Sequence, residues 1–543
     1  MDRRLRDAVD ELRAERGLDF ATARRVLCQL AGGVPLAISA LVAATGASRR
    51  TVTELLDRLA GWIDCADGAY ALRAGEAPAV RATLGCAATP APGFDRPDLG
   101  APRLARLLEQ MAGIGAGLPP SRWELDHVAA TPETAVRRAH ALSANFDLAG
   151  RHVLCLGDHD LTSVALTLLV PEVEVTVVDV DEPLLAYVKA TADRHRLPIR
   201  TAFADLRAEL PPSTCRTADL VFTDPPYTPA GIELFLTRGL AALRRRADNR
   251  IVFCYSPNDR QPARALAVQE VLGQLRLAIE AVVPDFNVFA GAESLGGRSD
   301  LWVCQPTRTT WPALQRHRPQ SRIYTRGRHA EETHGDTHAG PPGEILRKHA
   351  GRDPAAVSVP VEKLLRTEPP AGQGGAVRPG AVLLVDLTAV HASYVLRILL
   401  RGPTVRRAVF VAGARELRRT GLLDPDDPVR RLISARFSLT FPRERGLPDD
   451  LAVVVAEAVP AEDVPGDLAV ARYVLDHPKA KLAGAWREAL VAQARQRGQT
   501  LTKNDARQAV SSQVDPASFA GRYLCELPGE VLVPVAAVVA PAA

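Results

Sequence analysis

Apolar residues fall in strand-length runs between residues 151 and 305, with helical-period stretches between them. The runs at 153–156, 175–178, 220–223, 250–255 and 301–304 each predict a strand. A third strand in chain order is expected just before Ala204-Asp205. Strands alternating with helices are the mark of a parallel sheet with βαβ crossovers. Upstream the period is helical. Residues 36–45 predict a short helix, with Gly46 as its turn. Ser48 then caps a helix that carries Val52, Leu55, Leu56 and Leu59 on one face. Gly68 to Leu72 would be a wing strand. Thr131-Pro132-Glu133-Thr134 reads as a helix start, with Thr131 as cap, Pro132 in the first turn and no such role for Thr134. Downstream, strands are expected at 382–386, 408–411, 438–441 and 451–456, and an amphipathic helix at 486–497.

These patterns give a domain plan. Residues 1–86 read as a winged-helix-like domain and 87–150 as a linker with a helical lead-in. Residues 151–305 read as a Rossmann-like, doubly wound α/β catalytic domain. Residues 306–375 have the composition of a flexible linker, and 376–543 read as a C-terminal α/β or α+β domain to which no chemistry is assigned. At 543 residues the chain is too long for one core. Arg49, Arg50 and Thr51 stand where a DNA-reading helix would begin, although such a module also serves as scaffold or dimerisation unit.

Charge changes this picture only locally. The whole chain carries a formal net charge of +4, which makes no case for bulk nucleic-acid binding. Within 151–235, 13 Asp and Glu face 7 Lys and Arg, a net of −6, which favours a cationic substrate. The 8 cysteines form no Cys-x-x-Cys pair, and several lie in apolar runs, so reduced thiols and a cytoplasmic location are expected. No apolar run is long enough to span a membrane. His329, His334, His338 and His349 share no ligand spacing, and no metal site is expected.

The candidate chemistry sits at the carboxyl ends of the predicted strands. After the first comes the turn Gly157-Asp158-His159-Asp160. A dinucleotide turn would keep further glycines for a pyrophosphate. Carboxylates here suit a cation instead, such as a sulfonium nucleoside or a polyamine. Asp179 ends the second strand, with Asp181 two residues on, and is placed to accept hydrogen bonds from ribose hydroxyls. Asp205 is placed beside an adenine amino group. Asp224-Pro225-Pro226-Tyr227 follows a central strand, as in enzymes that modify amines: the Asp and a backbone carbonyl accept from the amine and the Tyr packs beside it. Asp126 either lies in a solvated loop or reaches over the pocket. The segment Gly291 to Asp300, with Glu293, either closes over a ligand or is a plain hairpin.

Two of these stretches carry a resemblance. Gly157-Asp158-His159-Asp160-Leu161-Thr162-Ser163 resembles the Gly-Asp-Asp-Asp-Leu-Thr-Ser signature of the branched-chain polyamine synthases, the bis(aminopropyl)spermidine synthase family. Thr223-Asp224-Pro225-Pro226-Tyr227-Thr228-Pro229-Ala230-Gly231-Ile232-Glu233-Leu234-Phe235-Leu236 is similar to that family's second signature, and Ala130 to Thr134 and Gly291-Ala292-Glu293 are similar too. The resemblance spans roughly residues 1–325. It implies a Rossmann-like aminopropyltransferase, often a homodimer. Decarboxylated S-adenosylmethionine would be the donor, a spermidine-like polyamine the acceptor, and methylthioadenosine the leaving product. Carried onto this chain, it makes Asp158 and Asp160 the candidate bases, with Asp224 and Tyr227 orienting the acceptor. Gly157, Asp179, Asp181 and Asp205 would hold the donor, and Asp126, Pro225 and Glu293 would meet the acceptor. His159 departs from the signature, where an acidic residue stands; an imidazole can also take a proton.

Two other functions fit parts of the pattern. One is an amine or adenine methyltransferase using S-adenosylmethionine itself, favoured by the Asp-Pro-Pro-Tyr turn and the N-terminal module. The other is a polyamine-sensing DNA-binding regulator acting through residues 48–60.

Overall fold

The computed structural model describes residues 1–86, 93–94, 97–122, 125–207, 210–256, 262–290, 297–317, 323–324, 341–350, 353, 356–359, 364, 380–388, 392–402, 404–514, 519 and 521–541. Residues 1–86 fold into helices Arg3–Arg16, Phe20–Leu30, Ile38–Thr45, Arg49–Arg58 and Ala77–Leu84 around a small antiparallel sheet. Its strands are β1 (Leu36–Ala37), β2 (Ile63–Ala66) and β3 (Ala69–Leu72). Ser48 Oγ accepts the Thr51 N–H at 3.1 Å, the cap its position predicts. The unit is keyed to the central sheet by charge and by one glycine. Arg13 forks onto Asp147 at 2.6 and 2.8 Å, and Arg250 reaches Asp19 at 2.9 Å. At Gly17, with φ +56°, a Cβ would stand 1.7 Å from Asp248 Oδ2, so only glycine admits that close approach.

Cys28 and Cys86 form a disulfide, their Cα atoms 5.3 Å apart. This corrects the expectation of reduced thiols at those two positions. The cysteines are 58 residues apart in sequence. No spacing signals the pair; the packing of helix Ala77–Leu84 on helix Phe20–Leu30 brings them together.

The central sheet comprises β4 (His152–Leu156), β5 (Glu174–Asp179), β6 (Ile199–Phe203), β7 (Leu220–Thr223), β8 (Arg250–Tyr255), β9 (Leu277–Val288) and β10 (Arg298–Pro306). Their order is β6-β5-β4-β7-β8-β10-β9. The first five are parallel and β10 runs antiparallel to both its neighbours. The chain order reverses between β4 and β7, the place where a doubly wound sheet opens a crevice at its carboxyl edge. The long strand β9 was not anticipated. Pro284 within the run argues against a strand, yet β9 is the outermost strand, where a missing N–H is tolerated. The pairing with β10 also slips between Ser299 and Leu301, opposite Pro284 to Phe286, a bulge that accommodates the proline.

The C-terminal unit holds a mixed sheet of β11 (Ala356–Ser358), β12 (Val382–Asp386), β13 (Arg407–Gly413), β14 (Phe437–Thr440) and β15 (Leu451–Ala458), in the order β11-β12-β13-β15-β14. Of the stretch 306–375, the described part includes β11, paired parallel with β12. His349 Nε2 donates to Glu444 at 2.8 Å; His329, His334 and His338 lie outside the described residues. No helix among the described residues is long and apolar enough to cross a membrane.

This unit docks on the β6 side of the central sheet, and its core is continuous with one face of that sheet. Arg522 donates to the Thr201 carbonyl at 2.5 Å, satisfying an acceptor of the edge strand β6. Glu526 accepts the Ser213 N–H at 3.1 Å. Arg397, fully buried, pairs with Glu182, donates to the Leu527 carbonyl and lies 4.3 Å over the Phe203 ring. Replacing one partner of a buried pair leaves the other uncompensated, so Arg397→Ala should lower stability by about 3–5 kcal/mol. Equilibrium urea unfolding measures this; a loss under about 0.5 kcal/mol, the range of an ordinary surface substitution, would count against the interface.

Candidate active site

The site begins where β4 ends. Gly157 takes φ +72°, which an L side chain rarely adopts, and its N–H bonds the Val178 carbonyl at 3.0 Å. The chain then swings so that two carboxylates cap helix Thr162–Leu169. Asp158 Oδ1 accepts the Ser163 N–H at 3.1 Å, and its other oxygen accepts the Ser163 hydroxyl. Asp160 Oδ1 accepts from the Thr162 N–H at 3.1 Å and hydroxyl at 2.7 Å. Asp158 is almost fully enclosed, and burial raises its pKa to about 7 despite those bonds.

Between them, burial pushes the His159 imidazole below its ordinary pKa. Its Nε2 lies 3.2 Å from the Pro119 carbonyl, which can only accept, so Nε2 carries the proton. Nδ1 is then a lone pair, buried and without a hydrogen-bond partner among the described residues. The ring packs 4.6 Å from that of His127.

A buried arginine organises the opposite wall. Arg138 projects from helix Pro132–Asn145 and is fully enclosed. It pairs with Asp160 through Nη1 and with Asp224 through Nη2 at 2.7 Å, while Nε donates to Asn287 at 2.7 Å. Its guanidinium also lies 5.1 Å over the Phe222 ring. The helix start sets its height. Thr131 caps as predicted, while Thr134, which has no such part in the helix start, donates to the Val288 carbonyl and accepts the Val288 N–H, both at 2.9 Å. That two-way bond pins the helix to β9, beside Asn287. Tyr227 Oη donates to Asp224 Oδ1 at 2.9 Å, so the Asp-Pro-Pro-Tyr turn is internally bonded.

At the end of β5, Asp179 Oδ1 accepts the Asp181 N–H at 2.8 Å, and Asp181 pairs with Arg122 at 3.2 Å. Burial raises both carboxyl pKa values, and for Asp181 the Asp179 charge adds to it. After β6, Asp205 is enclosed by donors. The Arg207 backbone N–H reaches it at 3.0 Å, Arg207 Nε at 3.0 and 3.1 Å, Arg207 Nη2 at 2.7 Å and Tyr394 Oη at 2.9 Å.

These elements surround one cavity of about 290 Å³. That is at the small end of the roughly 300–1,000 Å³ typical of small-molecule sites. Of the expected site residues, Gly157, Asp158, His159, Asp160, Asp179, Asp205, Asp224, Pro225, Tyr227 and Asp126 line it; Asp181 stands behind Asp179. Glu293 lies outside the described residues. Sequence reasoning missed Arg138, Arg207 and Tyr394. Arg138 had a signal: it shares the apolar face of Ala135, Ala139 and Leu142, where a charged residue needs a buried partner.

Residues 106–318 match the family model of the branched-chain polyamine synthase A C-terminal domain. An uncharacterized protein of Methanocaldococcus jannaschii is 34% identical over 169 residues, 31% of this chain and 42% of that one. The N(4)-bis(aminopropyl)spermidine synthase of the same organism is 37% identical over 144 residues, 26% of this chain and 41% of the relative. The chain thus spans about two fifths of the length of these relatives. Among solved structures, the branched-chain polyamine synthase of Thermus thermophilus, in complex with N4-aminopropylspermidine and 5'-methylthioadenosine, is 23% identical. The alignment covers 55% of this chain and 91% of that one, with a TM-score of 0.34.

The raised Asp158 pKa has a stability consequence. Its protonated form is favoured by folding, so that contribution is complete below the unfolded pKa near 4 and is lost as pH rises to about 7. Asp158→Asn cannot ionise. Between pH 5 and 7 the wild type should lose stability relative to this variant by about 1.4 kcal/mol per pH unit, with no further change above pH 8. Unfolding midpoints across this range test it; parallel profiles would show that Asp158 titrates normally.

Proposed function

We propose that this chain transfers an aminopropyl group from decarboxylated S-adenosylmethionine to an amine nitrogen of a spermidine-like polyamine, releasing methylthioadenosine. The observation that carries this reading is convergence. Carboxylates from the ends of three strands, Asp158 and Asp160, Asp179, and Asp224, line one cavity at the reversal of strand order. The match over residues 106–318 adds to it.

The cavity's residues fit a sulfonium nucleoside and a polyamine. Asp179 offers a carboxylate oxygen to ribose hydroxyls. Asp224, oriented by Tyr227 and Arg138, accepts from the acceptor amine. The nitrogen lone pair attacks the propyl carbon bonded to sulfur, and the C–S bond breaks with its electron pair going to sulfur. The sulfonium becomes a neutral thioether, and the proton displaced from nitrogen passes to Asp158. A carboxylate with pKa about 7 is a competent base near neutral pH, whereas an ordinary one is too weak to compete for an amine proton. His159, with its bare Nδ1, stands beside it as a second acceptor. In this reading residues 1–86 form a winged-helix-like unit and the enzyme works as a homodimer.

Incubation with decarboxylated S-adenosylmethionine and a panel of polyamines, followed by mass spectrometry, tests the assignment. An aminopropylated product with stoichiometric methylthioadenosine is expected; a methylated product from S-adenosylmethionine would overturn it. The rate at subsaturating acceptor should rise about tenfold per pH unit up to about pH 7, the limb of a base that must lose its proton. That limb should vanish in Asp158→Asn. Arg138→Met should cut kcat by about 100-fold, because the acceptor carboxylate loses its orientation. Full activity in Arg138→Met would remove the arginine from the site.

A further inference from the structure

We infer that the C-terminal unit completes the donor pocket: Tyr394 fixes Asp205, Asp205 fixes Arg207, and the free Nη1–H of Arg207 takes an acceptor nitrogen of the bound purine. The inference rests on the nucleoside donor of the preceding reading and assigns a task to a unit that lies outside the matched residues 106–318.

The Asp205 carboxylate is saturated with donors. An ionised carboxylate offers about four lone-pair sites. Here the Arg207 backbone, Nε and Nη2, together with Tyr394 Oη, make five contacts of 3.1 Å or less to its two oxygens. Little acceptor capacity remains for an exocyclic amine. Asp205 therefore acts on the ligand through Arg207.

Arg207 itself is only 5% exposed yet lines the cavity. Nε and Nη2 are committed to Asp205, and Nη1 is buried with no hydrogen-bond partner among the described residues. A buried donor left unpaired is costly, and because Arg207 lines the cavity, a ligand that settles against its side chain can bring the acceptor. The guanidinium is held in plane by its bidentate carboxylate and by the Tyr324 ring at 5.9 Å. The backbone beneath it is held as well, since Arg238 Nε donates to the Leu206 carbonyl at 2.7 Å.

Charge selects which part of the donor it meets. The sulfonium and the propylammonium are cations and would be repelled by a guanidinium. The purine is neutral and carries ring nitrogens that only accept. Arg207 follows β6, two strands from the acidic turn after β4, so the purine end lies away from the reacting sulfur.

Tyr394 reaches this pair from another unit. It opens the helix Ser393–Leu400, is fully enclosed, and packs edge-on at 6.0 Å against Phe203, the last residue of β6. Arg397, one turn on, ties the same helix to Glu182. Tyr394 is a positioning residue, since it touches Asp205 and does not line the cavity.

Calorimetric titration of the full-length protein with 5'-methylthioadenosine and its 1-deaza, 3-deaza and 7-deaza analogues tests the inference. In the wild type one analogue should bind at least about tenfold more weakly than the parent, the cost of one lost hydrogen bond. In Arg207→Gln the parent should weaken and that penalty should disappear. Tyr394→Phe should raise the KM for the donor severalfold with kcat unchanged, and should shrink the same penalty. Equal binding of all four nucleosides by the wild type, an undiminished penalty in Arg207→Gln, or an unchanged donor KM in Tyr394→Phe would each overturn it. If 5'-methylthioadenosine binds but the analogues are not discriminated, only this inference falls. If the wild type does not bind 5'-methylthioadenosine, the aminopropyl reading falls with it.

Discussion

Arg138 places one positive charge between two carboxylates, Asp160 and Asp224, inside a cavity wall with no exposure of its own. Two carboxylates facing one small space repel each other, and burial penalises both. A shared guanidinium removes that conflict and fixes their separation in one step. Its planar fork matches carboxylate oxygens, which a lysine ammonium would not do. The rest of the site follows from where this side chain is held. Thr131 and Thr134 set the helix that carries it, Asn287 on the outermost strand orients its Nε, and Phe222 on a central strand backs it. The arginine therefore joins the lead-in helix, the first and fourth strands of the central unit in chain order, and the terminal hairpin.

This arrangement divides the acidic residues by task. Asp160 and Asp224 are committed to Arg138, and Asp205 to Arg207. Among the described residues no cationic side chain is bonded to Asp158 or Asp179, and burial pushes both towards protonation. The pocket is less anionic than its carboxylates suggest. A dication would meet a graded field, strongest where no arginine stands nearby, which gives the substrate a direction as well as an attraction.

The sequence made some of this legible and concealed the rest for physical reasons. Strand-end carboxylates follow from alternating β and α periods, because the crevice of a doubly wound sheet lies at those ends. The caps at Ser48 and Thr131 are local and readable. Contacts between distant segments are not: Arg138 meets Asp224 across 86 residues, and Tyr394 meets Asp205 across 189. The strand Leu277–Val288 was hidden by Pro284, whose penalty depends on whether a strand is central or outermost. Cys28 and Cys86 escaped for the same reason as Arg138, since helix packing and not spacing makes the pair.

The cover over β6 bears on how that edge strand is kept from pairing with a strand of another chain. Arg522 occupies the Thr201 carbonyl, and the helix Gly529–Val539 lies against the helix that precedes β6. A shortened chain that ended before residue 376 would leave the Thr201 carbonyl of β6 without its Arg522 donor, beside apolar surface that Tyr394 and Arg397 now shield. Such a bared strand is a template on which a second copy can add. The C-terminal unit thus covers an edge of its neighbour's sheet that would otherwise face outward.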